Sequence, residues 1–169
     1  MKDEEMFPVV NEKGEFIKLA PRSVCHDGKS MLLHPVIHLH IINSHGDIFL
    51  QKRSLKKDIQ AGKWDTSVGG HMAPGETPDQ ALVREAWEEA GLKNFNYEFI
   101  KKYLWESDRE RELVYSYYSR TDRRPAADTD EIDEERFWTR KEIDKNIGQG
   151  VFTPNFEHEY LKVLKDSSL

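Results

Sequence analysis

The sequence predicts an α/β or α+β sandwich, and three observations carry that prediction. Short strand-like runs are separated by turn residues, one helix is framed at both ends, and weaker helical periodicity returns near the C-terminus. A length of 169 residues, 37% hydrophobic and 33% charged, suits one domain spanning 1–169 with a core of its own.

In chain order, Phe7 to Val10 and Phe16 to Lys18 flank the turn Asn11-Glu12-Lys13-Gly14, giving an N-terminal hairpin over about residues 6–19. Val36 to Ile42 and Ile48 to Gln51 flank Asn43-Ser44-His45-Gly46, a second hairpin pattern. The framed helix runs from Pro78 to Ala90. Thr77 is its N-cap, Pro78 takes the first helical position, Gln80 completes a capping box and Gly91 supplies the stop. Tyr97 to Trp105, Glu112 to Tyr118 and Glu135 to Thr139 are further strands, and Lys141 to Lys145 and Asn155 to Lys165 are helical. The acidic run from Asp128 to Glu135 reads as a solvated loop leading into a strand.

Composition narrows the function. Lys and Arg number 25 against 31 Asp and Glu, so a net charge of −6 leaves no footprint for nucleic acid or an anionic membrane. The single cysteine, Cys25, forms no intramolecular disulfide and no multi-cysteine zinc site, which suits a reducing cytoplasm. The acidic start has no apolar signal region, and Pro35 to Ile42 is far too short to span a bilayer.

Chemistry concentrates on the central helix. With Arg84 set at zero, Glu88 falls at about 40°, Glu85 at about 100° and Glu89 at about 140° around the axis. Three carboxylates on one arc repel each other, so they need solvent screening or a cation; hard oxygens in this number suit Mg2+. Taken alone the arc is a solvated acidic face with Arg84 as its salt-bridge partner. The wider spacing is more specific: Gly70, five residues, Glu76, seven residues, then Arg84-Glu85-Ala86-Trp87-Glu88-Glu89-Ala90-Gly91-Leu92.

This pattern over residues 70–92 resembles the Nudix box at every fixed position. The resemblance implies an α/β/α sandwich with a central mixed sheet and a loop-helix-loop. It also implies that Glu85, Glu88 and Glu89 bind Mg2+ or Mn2+ while Arg84 and Glu76 hold the loop and helix in shape. Typical members hydrolyse a diphosphate linked to another group, and the metal neutralises phosphate charge and acidifies water.

Outside the box, about residues 6–120 resemble the isopentenyl-diphosphate isomerase branch of that superfamily. The matching segments are Arg22 to His26, His34, Lys52 to Lys57, Trp64 to His71 and Glu110-Arg111-Glu112. The resemblance implies a second metal site drawn from His26, His34, His71, Glu110 and Glu112, with ligation that also suits Mn2+ or Zn2+. It further implies that Arg22, Arg53 and Lys57 hold the diphosphate through charge-assisted bonds. Two departures oppose isomerase chemistry: the branch's catalytic cysteine matches Gly69, and its carbocation-stabilising aromatic matches Asn155.

His34, Val36, His38, His40 and Ile42 share one face of a strand beginning at His34. His38 and His40 read as packing or hydrogen-bonding residues, having no counterpart in the implied metal set. Trp64 and Trp105 read as core aromatics before base-stacking ones. Glu110 and Glu112 project to one side if a strand begins there, and Glu112 joins the box glutamates as a general-base candidate. The expectation is a cytoplasmic, Mg2+- or Mn2+-dependent hydrolase acting on a small-molecule diphosphate, as a monomer or homodimer. An isomerase and a non-catalytic Nudix-fold binding protein are the alternatives.

Overall fold

A computed structural model describes residues 3–57, 59–126 and 129–169. Strands β1 (Met6–Val10) and β2 (Phe16–Pro21) form an antiparallel hairpin, followed by the single-turn helix α1 (Arg22–Cys25). Strands β3 (Leu33–Ile42) and β4 (Ile48–Arg53) come next, then two short strands, β5 (Trp64–Asp65) and β6 (Val68–His71). Helix α2 spans Pro78–Ala90 and leads to β7 (Glu98–Glu106), β8 (Arg111–Arg120) and β9 (Ile132–Trp138). Helices α3 (Arg140–Asn146) and α4 (Pro154–Glu159) close the chain, α4 running on as a π-helical turn over Tyr160–Leu164.

The large sheet is mixed, in the order β5-β4-β3-β8-β7, with β6 added to β3 and β9 to β4. Among the strand pairs of the described residues β3–β8 alone is parallel, and a single parallel bridge joins Trp64 to Phe152. Strand β3 organises the sandwich because it is buried at all ten positions and its side chains alternate between faces. Ile37, Leu39 and Ile41 pack with Leu82, Ala86 and Ala90 of α2, whereas Ile42 joins Trp64, Trp138, Phe152, Phe156 and Tyr160. Helix α2 therefore covers one face and the C-terminal helices the other, the α/β/α layering that the sequence implied.

Helix α2 has the predicted bounds. Thr77 Oγ1 accepts from the Gln80 amide at 3.2 Å and Gln80 returns the bond at 3.0 Å; such caps are worth about 1 kcal/mol. Gly91 ends the helix in the left-handed conformation, φ 63°, which favours glycine.

Three expectations change. The acidic loop ends earlier than Glu135: Asp128 lies outside the described residues, and the chain is already in β9 at Ile132, where pairing with Arg53 of β4 draws the acidic segment into the sheet. The C-terminal helix is not α-helical throughout, since Lys165 N donates to Tyr160 O at 2.7 Å, a five-residue step. That wider turn leaves both Tyr160 and Leu164 buried, with Tyr160 Oη donating to Asp144 at 2.9 Å. Strands β5 and β6 escape periodicity because they are two and four residues long. As expected, Trp64 packs edge-on to Trp138 in the core, while Trp105 is half-buried beside His158, ring centroids 5.2 Å apart.

Candidate active site

The acidic arc of α2 divides when folded. Glu88 stays at the surface with 54% of its side chain exposed, whereas Glu85 and Glu89 turn inward against β6. Glu89 accepts from the Gly69 amide at 3.2 Å and from Gln51 Nε2 at 3.3 Å. Burial, and secondarily the charge of Glu85, push Glu89 up to about 8. Glu85 is also raised, chiefly by burial, although Arg84 beside it acts to lower it. A bound cation would remove this penalty, so this donor set of paired, partly desolvated carboxylates fits a divalent metal.

Arg84 is the organising residue of the loop-helix-loop. Its guanidinium donates to Glu76 at 2.6 and 2.9 Å, to Glu85 at 2.7 Å, to Glu88 at 3.3 Å and to the His71 carbonyl at 3.0 Å. Glu76 in turn accepts from the Ala73 amide at 2.8 Å, fixing the loop before the helix. The glycine at position 70 is required by close approach, because a Cβ there would overlap the Glu85 carboxylate.

The second group of predicted residues also comes together. His26 from the end of α1, His34 from β3, His71 from β6 and Glu110 just ahead of β8 present ligand atoms within 4.8 Å of one another. The Nε2 atoms of His34 and His71 are buried without a hydrogen-bond partner among the described residues, and His26 Nε2 faces Glu110 at 2.8 Å. Three convergent imidazole nitrogens, two of them without a partner, and a carboxylate are the donors that a transition-type divalent ion takes. Burial depresses His34, and burial with the neighbouring imidazoles depresses His71 further, favouring the neutral, ligating form. Burial raises Glu110, but His26, 2.8 Å away, outweighs it and holds the carboxyl below its usual range. Glu112 lies at the margin of the group, 4.0 Å from His34 Nε2. Burial, then the charge of Glu110, push it up to about 8.

The three predicted phosphate-binding cations are less uniform. Arg53 faces Asp65 at 3.5 Å and donates to the Ile59 carbonyl, and Lys57 pairs with the exposed Glu131 at 3.2 Å. Arg22 pairs with Glu5 at 2.9 Å and lies 5.6 Å from the ring centroid of Phe7, which stacks on His71 at 4.2 Å. Arg22 thus borders the histidine cluster, while Arg53 ends β4 and Lys57 follows it.

One part of the site has no precedent in the sequence reading. Glu159 of α4 is fully buried and takes four donors. His38 Nδ1 lies 2.5 Å and Tyr103 Oη 2.9 Å from Oε2; His40 Nε2 lies 2.8 Å from Oε1, which Ser116 also bonds. Tyr103 Oη also lies 3.1 Å from Asn155 Oδ1, and Asn155 Nδ2 donates to Glu112 at 3.3 Å, linking the network to the histidine cluster. The available signal was an acid on the inward face of a helix, three residues after Phe156, opposite two histidines on one strand face.

Burial acts to raise Glu159, but His40 and His38 overcome it and hold the carboxyl far below its usual range. Burial also opposes charge on His38, yet Glu159 outweighs it and lifts His38 to about 9. The Glu159 contribution to stability is present above pH 4.5 and lost as pH falls through the depressed folded value. The His38 contribution is complete below pH 6.5 and lost as pH climbs through about 9. Urea denaturation as a function of pH is therefore expected to show this pair contributing most between pH 4.5 and 6.5. The decline above pH 6.5 should be absent in His38→Asn.

A mixed-sheet sandwich that presses inward-turned carboxylates of a loop-helix-loop against a Gly-Gly strand is the architecture of the Nudix fold class. The NUDIX domain signature matches residues 32–156, and the chain belongs to the Nudix family. An uncharacterized Nudix hydrolase of Listeria monocytogenes is 30% identical over 146 residues, covering 80% of this chain and 81% of that protein. An isopentenyl-diphosphate Delta-isomerase of Corynebacterium diphtheriae is 34% identical over 92 residues, 54% of this chain and only 50% of the isomerase. Among solved structures, a Deinococcus radiodurans protein superposes with a TM-score of 0.78 at 22% identity, covering 91% of this chain and 96% of the other. The Nudix domain of Shewanella oneidensis NrtR, solved with ADP ribose, has a TM-score of 0.60 at 13% identity, covering 78% and 83%. These two likenesses concern the fold.

Proposed function

We propose that the protein is a divalent-metal-dependent hydrolase that cleaves a phosphoanhydride bond in a small diphosphate, such as a nucleoside diphosphate linked to a second group. The observation that carries this reading is the complete box folded with Glu85 and Glu89 turned inward beside Gly69 and Gly70, Arg84 bracing Glu85. Glu85, Glu88 and Glu89 would hold Mg2+ or Mn2+. His26, His34, His71 and Glu110, with Glu112 at their edge, would hold a second ion. When bound, such ions neutralise phosphate charge and acidify water.

The remaining work falls to the chain's own residues. Arg22, Arg53 and Lys57 bind phosphate oxygens by exchanging their present carboxylate partners Glu5, Asp65 and Glu131 for substrate. Glu112 accepts a proton, and Asn155, donating to it at 3.3 Å, keeps the carboxylate in place. Isomerase chemistry needs a group that moves a proton at carbon, and Gly69 offers none at the position where that branch has its cysteine.

Incubation with nucleotide and isoprenoid diphosphates in Mg2+, Mn2+ or EDTA, followed by mass spectrometry, tests the reading. Metal-dependent hydrolysis of one class, abolished by EDTA, is the expected result. Interconversion of allylic and homoallylic isomers without hydrolysis would replace it with the isomerase.

A further inference from the structure

His38 is more than a packing residue. It stands on β3 directly across from Gly69 of β6. Its Nδ1 is committed to Glu159, and among the described residues Nε2 has no protein partner. Nε2 is also absent from the buried orphan nitrogens, while His38 as a whole keeps 8% exposure. Gly69 is what leaves that edge open. A Cβ at Gly69 would lie 3.5 Å from His38 Cδ2 and 3.7 Å from Nε2, ordinary contact distances that would cover the ring. Gly69 is also the residue whose amide holds Glu89. The open nitrogen therefore adjoins the strand that carries the inward carboxylates.

We propose that His38 is a substrate-contacting residue, donating a hydrogen bond from Nε2 across the Gly69 gap to an anionic oxygen of the diphosphate. This rests on the hydrolase reading and adds to it a cationic donor built into the sheet. Glu159 orients the donor and favours its charged form. Both its oxygens are fully engaged by His38, His40, Ser116 and Tyr103, so it fixes the imidazole ring while its own charge faces only donors. The raised proton affinity of His38 agrees, since a cationic ring carries hydrogen on both nitrogens. Glycine at position 69 then has a positive role, admitting an oxyanion where any side chain would stand.

Two variants separate binding from scaffolding. In His38→Asn the amide nitrogen takes the place of Nδ1, keeping the bond to Glu159 and deleting Nε2. Gly69→Ala leaves that bond untouched and covers Nε2. The probe is inorganic pyrophosphate with Mg2+, titrated into the 15N-labelled full chain and followed by NMR of the histidine ring nitrogens, with affinity from calorimetry. The expected result is a shift of the His38 Nε2 resonance on binding and affinity weakened about 10- to 100-fold in both folded variants. Binding that moves the Gly69 amide but not His38 Nε2, or that His38→Asn leaves unchanged, overturns the inference and spares the hydrolase reading. Failure of the unaltered protein to bind pyrophosphate at all overturns both.

Discussion

Glu89→Gln is expected to lower turnover of the diphosphate substrate by about a hundredfold or more while leaving the fold intact. The substitution is isosteric, and the amide oxygen can still accept from the Gly69 amide and Gln51, the contacts that Glu89 makes now. What it removes is the negative charge. Burial and Glu85 already make that charge costly, lifting Glu89 to about 8, and a divalent ion is what would repay the cost. Glu88→Gln should fall in the same direction, although Glu88 is half exposed and, among the described residues, held only by Arg84 at 3.3 Å. The check is turnover on the substrate found by mass spectrometry, with circular dichroism to show that the variants fold. Near-normal turnover in Glu89→Gln would remove it from the chemistry.

Glu159→Ala should be the most destabilising single change outside the apolar core, by about 3–5 kcal/mol. Truncation strips His38, His40, Ser116 and Tyr103 of their common acceptor at once, at a position where Glu159, His40 and Ser116 are fully buried. The loss exceeds that of a surface ion pair such as Arg22–Glu5, whose two side chains are 50% and 59% exposed and which is worth at most about 1 kcal/mol. Urea denaturation at pH 6 measures it. A loss below about 1 kcal/mol would show that the four donors find other partners.

The fold was legible where periodicity and framing agree. Helix α2 could be bounded because Thr77, Pro78, Gln80 and Gly91 each impose a local constraint that tertiary contacts do not override. Strand β3 was legible as alternation, and its two faces meet different layers accordingly. Strands β5 and β6 were not, since two to four residues carry too little pattern. In the site, spacing along one helix gave the box glutamates, but not that Glu88 stays outside while Glu85 and Glu89 turn in; that depends on β6 lying against α2. Residues brought together from α1, β3, β6 and β8 reached the sequence reading only through resemblance, because no spacing along the chain encodes them. Glu159 was missed for the same reason: it lies 121 residues from His38.

That separation bears on where this protein can be cut. The Nudix signature ends at residue 156, inside α4, and a chain trimmed to it would look complete by its motif. Such a chain would end three residues before the acid that holds His38 and His40 in place. It would also lose Tyr160 and Leu164 from the layer over Trp64 and Trp138. The tail is thus a keystone of the sheet, and minimal versions of this protein for labelling, fusion or crystallisation should run past Leu164.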